Sequence, residues 1–298
     1  MKVAVIGGTG LMGPYLTAEL VKGGHTVTCL NRRGTSSIAS AIKTDRRDKT
    51  SLKSAFKSID PYIVIDMIPY TVEDAETLSD ILETSPDTQL IAISSIDVYQ
   101  AYGRIHRTEL GPYQDCPIKE EDELRKTLSF QGPEYDKLGV ENIYRNSIKN
   151  LSILRMPAIY GWPDTSRIQE YLDCIEKKEG TFRIHPKFAK WGYTRASAID
   201  CAHAIFLTLG QKGHNTYNVG EEKLYSEEEW CQIVWNAAGT KGNIVYDKTA
   251  PIPFNADIKQ KWHVDTSKIR RELGYTETTN PLEEIRNIIQ KKKTVPIE

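Results

Sequence analysis

The chain has 298 residues, 39% of them hydrophobic and 27% charged, and its 39 basic and 40 acidic residues leave a formal net charge of −1. That profile suits one large or two coupled globular domains with ample core. The charge balance excludes a global pull toward nucleic acid or an anionic membrane, and no run approaches the ~18 apolar residues of a spanning helix.

Residues 2–6 (KVAVI) predict a buried strand and 13–22 a helix, followed by a strand over 26–30. Residues 50–58 predict a helix with Leu52, Ala55 and Phe56 on one face. A strand over 62–68, a helix over 72–83 and a strand over 89–94 continue the alternation. Near-continuous apolar strands separated by helices indicate a parallel sheet covered on both faces. Residues 99–132 are polar, turn-rich and long for a connection, the mark of a lid, a binding loop or an insertion. Gly132-Pro133 supplies a start signal for a helix from about 133, and 151–156 predict the next strand. Beyond Gly161 the alternation stops, and local pattern reads 213–220 and 258–275 as pieces of a smaller α+β cap. The early apolar run breaks at Gly7, unlike a signal peptide. The five cysteines are scattered and lack metal-ligand spacing, as expected of reduced thiols in a cytoplasmic protein with no metal site.

The segment Gly7-Gly8-Thr9-Gly10-Leu11-Met12-Gly13 places glycines after a strand and at the opening of a helix, the context of a dinucleotide-binding turn. Gly7 allows the tight turn, Gly10 the approach of a pyrophosphate, and Gly13 close helix–strand packing, while the positive helix end holds the phosphates. NAD-specific sites end the second strand with an acid for the ribose 2′-hydroxyl. Here that strand ends Asn31-Arg32-Arg33, which favours the 2′-phosphate of NADP(H), with NAD(H) as the alternative. Asp45, ending the third strand, is placed to receive the adenine amino group or to cap the following helix. Ile68 and Met156, at the ends of two further strands, complete the expected cofactor set.

These motifs, with Ile93-Ser94-Ser95-Ile96-Asp97-Val98-Tyr99, Lys137-Leu138-Gly139-Val140-Glu141, Leu154-Arg155-Met156-Pro157-Ala158-Ile159-Tyr160-Gly161 and Tyr217-Asn218-Val219-Gly220, resemble the extended short-chain dehydrogenase/reductases, the NAD(P)-dependent epimerases, dehydratases and reductases. The resemblance runs through nearly the whole chain and implies a Rossmann-type doubly wound parallel sheet with a smaller C-terminal α+β substrate domain. The expected division is 1–161, with 193–221 returning to it, against 162–192 and 222–298. In that family a serine orients the substrate oxygen, a tyrosine four residues before a lysine moves the proton, and the lysine holds the ribose. Ser95 and Lys137 match, but Pro133 stands at the tyrosine position. Tyr135 lies two residues from Lys137, and at about 100° per residue a helix would turn it nearly to the opposite side. Either the helix begins late and Tyr135 still reaches the nicotinamide, or Asp97 moves the proton, or catalysis is lost. Related dehydratases and decarboxylases carry an acid at the position of Asp97, and the long loop also offers Tyr102 and His106.

Sugar-nucleotide members carry an asparagine where this chain has Ala158 and an arginine in a late stretch that here, over 251–262, has none. Arg195, which family members often carry at the domain cleft, with Tyr99 and His106, is therefore the candidate substrate-binding set. Arg104 and Arg107 cluster in the same loop, and Trp162, Trp191 and Tyr193 would line a pocket or fill the seam between domains. The expected protein is an NADP(H)-dependent epimerase, dehydratase or oxidoreductase acting on a small polar or sugar-like substrate, with no nucleic-acid or membrane partner. A catalytically silent nucleotide-binding sensor or scaffold is the rival. A homodimer paired through the helices at 72–83 and 133–147 is implied by the resemblance alone.

Overall fold

The computed structural model describes residues 1–129, 131–177 and 180–294. Its first half alternates strand and helix. In chain order these are β1 (Lys2–Ile6), α1 (Gly13–Lys22), β2 (Thr26–Asn31), β3 (Ser40–Lys43), α2 (Lys49–Ile59), β4 (Ile63–Asp66), α3 (Val72–Leu82) and β5 (Gln89–Ser95). A short helix α4 (Gln100–Ile105) opens the long segment, and α5 (Lys137–Ser147) and β6 (Asn150–Met156) follow it. Then come β7 (Ala158–Tyr160), α6 (Ser166–Lys177), β8 (Thr181–Ile184), α7 (Pro186–Ala189), β9 (Arg195–Ser197), α8 (Ala198–Leu207) and β10 (His214–Asn218). The chain ends with α9 (Glu227–Ala237), β11 (Asn243–Tyr246), α10 (Ser267–Leu273) and α11 (Pro281–Thr294).

Seven parallel strands form one sheet in the order β10-β6-β5-β4-β1-β2-β3. The order reverses between β1 and β4, the switch point where such sheets bind ligands at their carboxyl ends. Strand periodicity explains the two-sided core. In β1, Val3 and Val5 pack with Leu16, Leu20 and Ala202 on one face, while Ala4 and Ile6 pack with Phe56, Leu78 and Tyr144 on the other. The stretch 213–220, read from local pattern as cap, instead supplies the edge strand β10. Its Tyr217 and Val219 are buried in the sheet core.

A second core joins α6, α9 and α11 around Trp230, Trp235, Ile168 and Ile288, beside the two-stranded β8–β11 sheet. The long segment is pinned to the body and is no free loop. Ile118 bridges Val264, Tyr99 bridges Leu124, and Glu109 accepts hydrogen bonds from the Lys126 and Thr127 amides at 2.7 Å. Among the described residues, no helix is long and apolar enough to cross a membrane.

Candidate active site

A cleft of about 530 Å³ opens at the switch point, between Gly7, Thr9 and Gly10 on one side and Ile68 and Tyr70 on the other. Gly7 has φ +81°, and a Cβ there would meet the Ile68 side chain at 2.9 Å. At Gly13 a Cβ would lie 2.2 Å from the Gly8 carbonyl oxygen, so this glycine lets α1 sit tightly on the turn. Gly10 differs, since its Cβ would meet nothing nearer than the Gly7 oxygen at 3.6 Å. The protein itself does not need glycine at that exposed position, whereas a phosphate approaching the main chain does. The first turn of α1 contains Pro14, no acidic residue and no capping side chain, so its positive end suits an anion from outside. The cradle therefore fits a dinucleotide. Gly8 packs against Cys29 and Val5 instead of lining the cleft, and the side chains of Met12 and Met156 are buried in the sheet core. Any part these three play in cofactor binding is confined to their main chain.

Asn31 lines the cleft and folds the turn that follows β2. Its Oδ1 accepts from the Arg33 and Gly34 amides at 3.1 and 2.8 Å, and its Nδ2 donates to the Thr35 oxygen at 3.0 Å, which sets Arg32 and Arg33 on the rim. Asp45 lines the cleft and accepts from the Arg47 amide, but Asp48 caps α2 by accepting from the Ser51 amide at 3.0 Å. The capping alternative for Asp45 is thus replaced by its neighbour. Arg46, which sequence reasoning missed, pairs with Asp66 at 2.7 Å and Asp74 at 2.9 Å and donates to the Ile68 oxygen. A wholly buried Asp66 at a strand end demands such a cation, and that was the available signal. Arg46 is neutralised there. Among the described residues, Arg32, Arg33 and Arg47 form no ion pair, and all three line the cleft.

Beyond the glycine turn, Ser95, Asp97, Tyr135 and Lys137 converge. The helix expected from 133 begins later. Residues Gly132–Tyr135 form a single 3-10 turn, and Asp136 caps α5 by accepting from the Gly139 amide at 3.0 Å. Tyr135 therefore precedes the helix, and the angular argument against it does not apply. Its hydroxyl lies within the field of Asp97 and beside Ser95, whose Oγ accepts from the Asp97 amide at 3.2 Å. Burial and the nearby Asp97 carboxylate raise its pKa. Burial also raises Asp97, against the lowering fields of Arg125 and Lys137, and Oδ1 of Asp97 is buried without a partner among the described residues. Lys137 is 3% exposed, donates to the Pro69 and Ile93 oxygens at 3.0 Å each, and lies 4.7 and 5.5 Å from the Tyr70 and Tyr135 ring centres. Desolvation lowers its pKa from 10.5 to about 8.

Two of the three expected substrate residues are corrected. Tyr99 is fully buried, donating to Asn218 Oδ1 at 2.6 Å and accepting from Arg155 Nη1 at 2.9 Å. Arg195 is 3% exposed, paired with Glu227 at 2.5 Å, and stacked on Tyr193 at 3.7 Å and Trp230 at 4.6 Å. Both have their polar groups taken by protein partners, and neither lines the cleft at the switch point. His106 is half-buried and its ring packs on Tyr102 at 4.4 Å, with Trp262 on the other partner of that cluster. Arg107 turns to Asp257 and the Asn255 oxygen, and Arg104 stacks on Tyr113. Trp191 and Tyr193 pack in the apolar seam beneath the long segment. Of the charges near Asp97 and Tyr102, sequence reasoning missed Arg125, whose Nε donates to the Asp97 main-chain oxygen, and Arg167, whose field reaches Tyr102.

Solved structures similar to the chain over nearly its whole length include UDP-glucose 4-epimerase from Bifidobacterium longum in complex with NAD+ and UDP. It shares 17% identity at a TM-score of 0.75, covering 98% of each chain. UDP-N-acetylglucosamine 4-epimerase from Bacillus cereus shares 18% at 0.76, covering 98% of this chain and 99% of that one. dTDP-glucose 4,6-dehydratase from Bacillus anthracis in complex with NAD shares 14% at 0.75, covering 99% and 97%. Such identities establish a shared fold. No curated protein matches the chain. The family model described as the NAD dependent epimerase/dehydratase family matches residues 3–220, close to three quarters of the sequence, and on that match the chain belongs to this family.

Proposed function

We propose that the chain is an NADP(H)-preferring enzyme of the epimerase/dehydratase type, acting on a small polar or sugar-like substrate with a displaced tyrosine and a carboxyl group as its proton-handling pair. The observation that carries this reading is the convergence of Ser95, Asp97 and Tyr135 beside Lys137, with Tyr135 and Lys137 both packed on Tyr70, which lines the glycine cleft. The bound nicotinamide would supply or accept a hydride. Ser95 and the Tyr135 hydroxyl would hold the reacting oxygen. Asp97, buried and raised, can keep or release a proton nearer to neutrality than an exposed carboxyl can. Lys137 would orient the ribose. The Arg125 guanidinium moderates the rise at Asp97, since its field favours the carboxylate.

The cofactor preference rests on Arg32, Arg33 and Arg47. Three guanidinium groups without acidic partners at the adenosine end match a 2′-phosphate and would serve no purpose toward a 2′-hydroxyl. Turnover of nucleotide sugars and simple carbonyl compounds, followed by reduced-nicotinamide absorbance and product analysis, tests the chemistry. Asp97→Asn and Tyr135→Phe are each expected to lower kcat by about 10²–10⁴-fold with cofactor affinity retained. Unchanged kcat in both variants would remove Asp97 and Tyr135 from the chemistry, whereas coenzyme binding without turnover of any of these substrates would leave the sensor or scaffold reading in its place.

A further inference from the structure

The last helix returns to the glycine-rich turn. A second cleft, of about 620 Å³, adjoins the first and shares Thr9 and Gly10 with it. Its remaining walls include Leu11 just before α1, Trp162 at the entry to the second core, and Lys291 from the last turn of α11. The shared residues are those whose main chain a pyrophosphate would touch, so that group would lie where the two clefts meet.

Packing fixes the orientation of α11. Glu284, Ile288 and Lys291 stand at i, i+4 and i+7, one face of the helix. Ile288 is buried in the second core, while the field of Glu284 reaches Tyr15 on α1 and Lys291 in turn acts on Glu284. This face therefore runs toward the start of α1, and Lys291 occupies its solvent end. Lys291 is exposed and has no ion pair or hydrogen bond among the described residues. The other charged residue on the cleft, Asp164, has its carboxylate engaged by the Ser166 amide at 2.7 Å. Among the described lining residues Lys291 is the sole cation.

We infer that Lys291 is a cofactor-binding residue, pairing with the pyrophosphate of the dinucleotide from the second structural unit. The inference rests on the dinucleotide reading above. It gives the C-terminal helix a direct part in holding the cofactor, alongside the α1 main chain.

Calorimetric titration of the full chain with NADPH and with NADH tests it, on wild type, Lys291→Ala and Lys291→Arg. Both coenzymes carry the pyrophosphate, so Lys291→Ala is expected to weaken both by the same factor, about 5–10-fold, while Lys291→Arg retains affinity. The loss should shrink as salt is added, and the melting temperature without ligand should stay unchanged. Unaltered affinity for both coenzymes overturns the inference. So does a loss confined to NADPH, which would place the lysine at the 2′-phosphate. Wild-type protein that binds neither coenzyme would instead sink the dinucleotide reading itself.

Discussion

At Lys137 an amine sits without solvent between two main-chain carbonyls and two tyrosine rings, and burial brings its pKa from 10.5 to about 8. For a base, a depressed native pKa means that the folded protein loses its ammonium charge as pH rises through about 8, while the unfolded chain keeps it to 10.5. Between those values the unfolded state binds more protons, so this group makes stability rise with pH there. The functional consequence runs the other way, because a neutral amine is a poorer partner for the ribose. Coenzyme affinity is expected to fall above about pH 8, and Lys137→Met should flatten the profile. A wild-type profile level through that range would contradict the placement of the charge. The same neighbourhood shows what a sequence conceals. Tyr99 and Arg195 carry groups suited to a substrate, yet each finds a buried partner far along the chain, at Asn218 and Glu227. Nothing local in the sequence distinguishes a polar side chain facing a cleft from one satisfied inside.

Among the elements, β5, α5, β6 and β10 are tied by one buried polar network. Glu141 on α5 accepts from Ser94 at 2.5 Å and pairs through both oxygens with Arg155 on β6, at 3.0 and 2.8 Å. Arg155 also donates to Tyr99, which reaches Asn218 on β10. The Arg155 charge keeps the Glu141 carboxyl below its usual pKa despite complete burial. Removing one partner strands the other charge, so Arg155→Met is expected to cost about 3–5 kcal/mol in urea denaturation. Glu141→Leu combined with Arg155→Met should recover part of that loss, and additive losses would argue against coupling. At this scale the sequence was legible where apolar periodicity ruled. The strands and helices of the first half for which bounds were expected stand within two residues of them, apart from the start of α5. The start of α5 was obscured by two competing signals, Gly132-Pro133 and Asp136, and the structure uses the second. Likewise β10 is short, with polar His214, Asn215 and Thr216, so its place in the sheet follows from tertiary pairing with β6 and not from its own pattern. One face of α5 packs against its own chain. Tyr144 donates to Asp66 at 2.7 Å inside the sheet core.

For the whole molecule, the join between the sheet and the second core carries a titratable strain. Glu221, just past β10, accepts from Tyr160 at 2.7 Å, and burial raises its pKa from 4.5 to about 7. Here the native state holds the extra proton, so stability falls as pH rises from 4.5 to about 7, by up to about 3 kcal/mol for this group. Glu221→Gln keeps an acceptor for Tyr160 and removes the charge. Thermal melts at pH 8 are expected to show it more stable than wild type, with the gain vanishing near pH 4, and equal melts at both pH values would refute the assignment. The broad fold was readable because a parallel sheet needs buried strands and a dinucleotide needs glycine at a few fixed points. The second core was not, because it is assembled from α6, α9 and α11, which meet only in three dimensions.

Gly10 offers the most direct test of the account, since it is the position where the free protein has room for a side chain and a bound pyrophosphate would not. Calorimetry with NADPH on wild type and Gly10→Val, alongside thermal melts of both, separates folding from binding. The expected result is an unliganded melt unchanged within about 0.5 kcal/mol, with NADPH affinity reduced at least about 100-fold. An intact, normally melting Gly10→Val protein that binds NADPH as tightly as wild type would contradict it.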